Sequence, residues 1–118
     1  MFNHMVEHNK DEQLDHIFHA LADTTRREMV RMIASHDRTV SELAEPFHMS
    51  LAAASKHIKV LERSGLLERS IQGRTHMCRL NPRTMSRAME WLQFYERLWN
   101  VQFDALEREL NKAKKEEH

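Results

Sequence analysis

Residues 39–64 have the sequence TVSELAEPFHMSLAAASKHIKVLERS, and this stretch decides the fold. Thr39 and Glu42 have the spacing of a capping box, in which each side chain bonds to the other residue's backbone N–H at a helix start. They predict a short helix that ends near Pro46, because proline inside a helix removes a hydrogen bond and clashes. Ser50 predicts the N-cap of a following helix. Two short helices joined by the segment FHMS predict a helix-turn-helix over residues 39–64.

The second of these helices has two contrasting faces. Ala54, Ile58 and Leu61 recur at helical spacing and form an apolar face that can hold the helix on the domain. The opposite face is small or basic, so the backbone can approach DNA bases and the lysines can reach base edges or phosphates. We predict DNA contacts from this helix at Ser50, Ala52, Ala53, Ser55, Lys56 and Lys59. A plain amphipathic helix with a solvated face is the alternative.

Two strand-like runs, residues 67–71 and 75–80, flank the turn sequence QGR and predict a β-hairpin. Charge is concentrated here, since residues 50–83 contain seven lysines and arginines against two glutamates while the whole chain has a formal net charge of zero. Such a concentration can form a phosphate-binding face, and an ordinary mixed surface is the alternative. The hairpin is the predicted wing, residues 66–80, with DNA contacts at Arg69, Arg74 and Thr75.

Helical spacing of apolar residues also predicts helices on either side of this region. A first helix covers about residues 11–22, Asp23 can cap a second, and a long last helix covers residues 84–112. The predicted fold is one domain over residues 1–118 of class α+β, mainly α with a small β-hairpin wing. It is a winged helix-turn-helix with a long C-terminal helix.

The last helix has more apolar surface than one small domain can cover. We therefore predict a homodimer held by the helices at residues 11–22 and 84–112. Its predicted interface residues are Leu14, Phe18, Leu92, Tyr95, Trp99, Phe103 and Leu106. Packing of the last helix within its own subunit is the alternative.

The stretch from residue 18 to residue 80, and more loosely the whole chain, resembles the ArsR-type (arsenic-repressor-like) winged helix-turn-helix regulators. The matching segments are ALADTTRR at 20–27, TVSELA at 39–44, ASKHI at 54–58, LERSGL at 61–66 and GR at 73–74. Thr24 stands where this family usually has proline, a departure that weakens a helix-start preference but changes no chemistry. The resemblance implies a dimer of the first and last helices that binds an inverted-repeat operator and blocks transcription.

Composition indicates where such a protein works. Hydrophobic residues make up 41% of the chain and charged residues 31%, which is typical of a folded domain. The sequence contains no run of about 18 apolar residues, which a membrane-spanning helix would need. Its polar N-terminus is unlike a signal peptide. The single cysteine, Cys78, permits no intrachain disulfide. We expect a cytoplasmic protein whose partners are double-stranded DNA and a second copy of itself, with no membrane.

No set of residues has the pattern of an active site. His57 is accompanied by no nucleophile, carboxylate pair or phosphate-cradling glycine loop, so it is predicted to be a half-buried packing residue. Cys78 is predicted to be a small core residue. We predict no catalytic residue, no cofactor and no enzymatic activity.

Nine histidines raise the question of metal sensing. In the thiolate-sensing members of the resembled family two cysteines lie on the third helix, where this chain has Ala44 and Pro46. Other members bind metal through Asp and His on C-terminal helices, and here residues 84–117 contain no histidine. A zinc site needs three or four ligands, and the candidates that remain are His4, His8, His16 and His19. We predict no metal, with a solvated N-terminal segment as the explanation of these histidines.

The predicted function is transcriptional repression by operator binding, with the inducer left open. Two alternatives remain at this point: a metal- or thiol-responsive repressor of the same fold, and a winged-helix module that binds a protein partner.

Overall fold

The computed structural model describes residues 2–116, and side chains from residue 12 to residue 116. Five α-helices, a three-stranded sheet and one 3₁₀ turn make up this part of the chain. In chain order they are α1 (Phe2–Leu21), α2 (Thr24–Ser35), β1 (Arg38–Thr39), α3 (Val40–Ala44), the 3₁₀ turn (Glu45–Phe47), α4 (Leu51–Ser64), β2 (Leu67–Gln72), β3 (Thr75–Leu80) and α5 (Pro82–Glu116). Residues up to Ser86 form one compact unit, and α5 from Arg87 onward forms a second.

The first unit is built around α4, which packs against α1, α2, α3 and β2. Removing apolar surface from water contributes about 25 cal/mol per Å² and is the main stabilising term of such a core. The fully buried side chains include Ile17, Met29, Leu43, Ile58, Leu61, Leu66 and Cys78. The prediction that Cys78 is a core residue is confirmed, and burial raises the pKa of its thiol. Among the described residues, no helix is both long and apolar enough to cross a membrane.

The local helix signals of the sequence are present as hydrogen bonds. The hydroxyl of Thr39 accepts from the backbone N–H of Glu42 at 3.2 Å, and the Glu42 carboxylate accepts from the backbone N–H of Thr39 at 3.0 Å. Ser50 Oγ accepts from the backbone N–H of Ala53 at 3.1 Å and caps α4. Gly65 ends α4 with a φ of 85°, in the left-handed region that favours glycine.

Two helices are longer than predicted. The first was expected from about residue 11, but α1 begins at Phe2. The segment from residue 2 to residue 10 contains no glycine or proline, so nothing in it stops the helix. The last was expected over residues 84–112, but α5 begins at Pro82, where a missing N–H does no harm in the first turn. It continues to Glu116 because lysine and glutamate are good helix formers, and Lys114 and Lys115 favourably oppose the negative end of the helix dipole.

The sheet has the strand order β1-β3-β2, with all neighbours antiparallel. The predicted hairpin is confirmed as β2 and β3, although Gln72 belongs to β2 and pairs with Thr75, so the turn is narrower than predicted. Gly73 has a φ of 64° in this turn. The sequence did not predict β1, because a strand of two residues is too short to show the alternation of apolar and polar residues. In the structure β1 pairs with β3, and Arg38 lies opposite Cys78.

Candidate nucleic-acid interface

The helix α4 has one buried and one accessible face, as its sequence predicted. Ala54, Ile58 and Leu61 are fully buried against the rest of the first unit. The six predicted contact residues lie at the start of the helix or on its outer side. Ser50, Ala52, Lys56 and Lys59 are exposed, while Ala53 and Ser55 are half-buried. The geometry therefore leaves the predicted contact strip accessible, and its role in DNA binding stays a prediction.

A polar cluster joins α4 to the junction of α1 and α2. Arg26 donates from Nε to the carbonyl oxygen of Ala20 at 2.8 Å and from Nη2 to that of His19 at 3.1 Å, and its Nη1 lies 3.3 Å from His57 Nδ1. A carboxylate oxygen of Asp23 lies 3.8 Å from the same His57 nitrogen. The backbone N–H of Arg26 donates to Asp23 and holds the pKa of that carboxyl below its ordinary value.

His57 is half-buried, as predicted, and Arg26 and Asp23 are its polar neighbours. The cluster therefore fixes α4 by directed bonds in addition to packing. Sequence reasoning missed this role of Asp23 and Arg26, although both lie in the segment ALADTTRR that carried the family resemblance.

The predicted wing contacts fall into two classes. Arg74 and Thr75 are exposed at and beside the hairpin turn. Arg69 is different, because its Nη2 donates to Glu62 Oε1 on α4 at 2.5 Å and its Nη1 lies 3.3 Å from His76 Nδ1. Its side chain is 18% exposed. Arg69 therefore ties the wing to α4, and much of its charge is balanced by Glu62.

A cleft of about 440 Å³ lies between the start of α3, α4 and the wing. Hydroxyl groups line it from every side, and basic groups line it on the wing side, whereas no Asp or Glu among the described side chains does. Hydroxyls and guanidinium groups are among the side-chain groups that bind the phosphates of nucleic acids. The hydroxyl donors are Thr39, Ser41, Ser55 and Thr75, and the basic groups are Arg69, Arg74 and His76. We call this cleft the notch.

Comparison with known proteins identifies the family. A helix-turn-helix domain model matches residues 21–70, which cover all of α2, α3 and α4, and the start of the wing. A solved ArsR-family transcriptional regulator is 41% identical, over 76% of this chain and 93% of that one, with a TM-score of 0.70. This chain belongs to the ArsR family of transcriptional regulators. As an ArsR-family member it is a DNA-binding transcriptional regulator with a winged helix-turn-helix fold, as its sequence predicted.

The chain is also similar to a repressor and to a homodimeric DNA-binding domain. The transcriptional repressor SdpR of Bacillus subtilis is 24% identical over 79 residues, which are 67% of this chain and 88% of that protein. A homodimeric winged helix-turn-helix DNA-binding domain of a possible ArsR-family regulator from Mycobacterium bovis is 25% identical. It covers 74% of this chain and 82% of its own, with a TM-score of 0.60.

In this ArsR-family chain the predicted dimer residues of α5 form an accessible apolar face. Trp99 and Phe103 meet edge to face with ring centroids 5.0 Å apart, and Trp91 and Tyr95 are 4.2 Å apart. Each of the five predicted residues on α5 is about half exposed or more: Leu92, Tyr95, Trp99, Phe103 and Leu106. Leu14 and Phe18 on α1 are half-buried. Single exposed apolar residues are normal on a protein surface, but a contiguous apolar face of this kind is typical of a protein–protein contact.

The histidines predicted as candidate metal ligands all lie in the sequence of α1. Within residues 12–116, no group of three or more His, Cys, Asp or Glu side chains is placed to hold a metal ion. His16 and His19 are exposed on α1, whereas the side chains of His4 and His8 lie outside the described part. At the third-helix positions of the thiolate-sensing members, Ala44 is buried and Pro46 is exposed in the 3₁₀ turn.

Proposed function

We propose that this regulator is a homodimeric repressor that binds an inverted-repeat operator in the cytoplasm and carries out no catalysis. The observation that carries the proposal is the notch between α4 and the wing, which basic and hydroxyl side chains line and in which no carboxylate of the described residues takes part. The similarity to the repressor SdpR supports repression. The similarity to the homodimeric domain from Mycobacterium bovis supports a dimer.

In this proposal α4 enters the major groove and the wing follows the phosphate backbone. The recognition helix of a helix-turn-helix contacts bases with its N-terminal residues, so Ser50, Ala52 and Ala53 lie closest to the base edges. Ser55, Lys56 and Lys59 follow along the same side and reach bases or phosphates. Arg74 and Thr75 contact the backbone from the wing tip. Arg69 contributes from inside the notch and chiefly orients the wing, because Glu62 balances its charge.

The dimer brings two copies of α4 to successive major grooves. A symmetric dimer reads half-sites that lie one helical turn apart or a multiple of it, which is why an inverted repeat is expected. The apolar face of α5, with Leu14 and Phe18 on α1, is the proposed contact between the two copies. Burial of Trp99, which is 60% exposed in the single chain, is expected to be the largest contribution.

The test is DNA binding by the full chain, measured by fluorescence anisotropy on duplexes enriched from fragments of its source genome. The double variant Lys56→Ala, Lys59→Ala is expected to weaken specific binding by about tenfold or more, since each good base contact is worth about 1–3 kcal/mol. Arg31→Ala is the control for the loss of one exposed positive charge, because Arg31 lies on α2 with its side chain 80% exposed. It is expected to bind like the wild type.

Enrichment of no duplex would contradict the proposal. The alternative of a winged helix that binds a protein partner would then explain the fold. A loss of binding free energy per removed charge that is the same in the double variant and in Arg31→Ala would also contradict it, because it would reveal an effect of net charge and not of the α4 surface.

A further inference from the structure

Two large apolar side chains of the first unit are exposed among residues 12–86, and both lie on the side of the molecule proposed to bind DNA. Leu51, the first residue of α4, is 57% exposed, and Ile71, near the end of β2, is 66% exposed. Leu43, Leu61, Leu66 and Leu67 of the same unit are almost completely buried. A leucine contributes to stability by leaving water, so the fold gains little from Leu51 where it stands.

The surroundings of Leu51 are those of a DNA contact. Leu51 and Ser55 are one helical turn apart and both line the notch, together with Arg74 and Thr75 of the wing. Hydroxyl and guanidinium groups can hold the DNA backbone, and in the proposed function the first turn of α4 then lies against the bases. Leucine has no donor or acceptor for a polar base edge. The apolar group that the major groove displays is the C5 methyl of thymine.

We propose that Leu51 is a specificity-determining residue that packs against the C5 methyl group of a thymine in each operator half-site. The inference rests on the proposed function and adds to it the identity of one base. Ile71 does not share this role. It sits on the wing opposite His76, and a wing follows the backbone or the minor groove, where an A·T pair displays no methyl group.

The test uses a duplex selected from a random-sequence library by the full wild-type chain. Each thymine of its consensus is replaced by deoxyuridine, which lacks the methyl group, at one position at a time in both half-sites. One substitution is expected to weaken binding about fourfold per half-site, the effect of one buried methyl-sized group, and about fifteenfold in the symmetric duplex.

Two variants separate this contact from general effects. Leu51→Ala is expected to bind the thymine and uracil duplexes equally at that position. It should stay folded, because Leu51 is exposed and alanine is favourable in a helix; circular dichroism and thermal melting verify this. Ile71→Ala removes an apolar side chain of similar exposure and is expected to keep the full preference for thymine over uracil.

The inference is wrong if no uracil substitution changes wild-type affinity by twofold, or if Leu51→Ala remains as sensitive to uracil as the wild type. In both cases the protein still binds its selected duplex, so the proposed function stands. If the library yields no bound sequence, the proposed function itself fails and the contact of Leu51 fails with it.

Discussion

Replacing Arg74 by alanine should change how DNA binding depends on salt and leave the fold intact. Arg74 is exposed at the hairpin turn, and no hydrogen bond or ion pair ties it to another described residue. Each phosphate that a protein neutralises adds about 0.9 to the slope of log K against log salt. One lost contact in each subunit of a dimer therefore lowers the slope by about 1.8. Over a fourfold rise in salt, the variant should lose about twelvefold less affinity than the wild type.

The assay is fluorescence anisotropy of a labelled operator duplex at several salt concentrations, on wild type, Arg74→Ala and two comparison variants. Arg31→Ala removes an equal charge from α2 and should leave the slope unchanged. Arg69→Ala should instead destabilise the protein to urea by about 1–2 kcal/mol, because it leaves the Glu62 carboxylate, which is 35% exposed, without its partner. An unchanged slope in Arg74→Ala, or an equal change in Arg31→Ala, would refute the assignment of the wing tip to the phosphate backbone.

Three further results are expected. Trp99→Ala should give a monomer in sedimentation at micromolar concentrations where the wild type is a dimer. Phe94 is an exposed aromatic residue on another side of α5, and Phe94→Ala should stay dimeric. The reverse result would show that the dimer interface lies on the side of Phe94. The folded state lowers the pKa of Asp23, so its stabilisation is present above the ordinary value of 3.8 and is lost as pH falls through the lower folded pKa. The free energy of unfolding of Asp23→Asn, measured by urea titration, should therefore fall less than that of the wild type below about pH 4. The same fall in both proteins would show that Asp23 does not contribute to acid destabilisation. Operator affinity should change less than about threefold with chelator or with micromolar zinc, nickel, cobalt or copper; a tenfold loss with one metal, abolished by His16→Ala or His19→Ala, would show a sensor on α1.

The parts of the fold that the sequence predicts are those controlled by neighbours along the chain. The capping box of α3 joins Thr39 and Glu42, three positions apart, and the cap of α4 joins Ser50 and Ala53. Gly65 ends α4 through its own backbone conformation. Each of these signals is complete within one turn of helix, so a single sequence is enough to place it.

The interactions that escape prediction join distant segments. His57 and Arg26 are 31 positions apart, and nothing in either local sequence marks the other as its partner. Arg69 looked like a free cation because its pairing with Glu62 forms only when the wing folds back on α4. The strand β1 exists because β3 offers it partners, and not because Arg38 and Thr39 favour a strand. The charge balance and exposure of a side chain such as Arg69 therefore follow from the tertiary structure and not from its residue type alone.

The small sheet also affects how the protein behaves at high concentration. A hairpin that must project toward DNA exposes strand edges, and bare edges recruit strands from other chains into aggregates. On one side β3 is covered by β1, which is only two residues long and leaves few unpaired backbone groups for a strand of another chain to bind. On the other side β2 carries Glu68 and Arg69, and Glu68 lies 4.0 Å from Arg79 across the hairpin. A short strand at one edge and charged side chains at the other discourage sheet growth, so an exposed wing is compatible with a protein that stays in solution at high concentration.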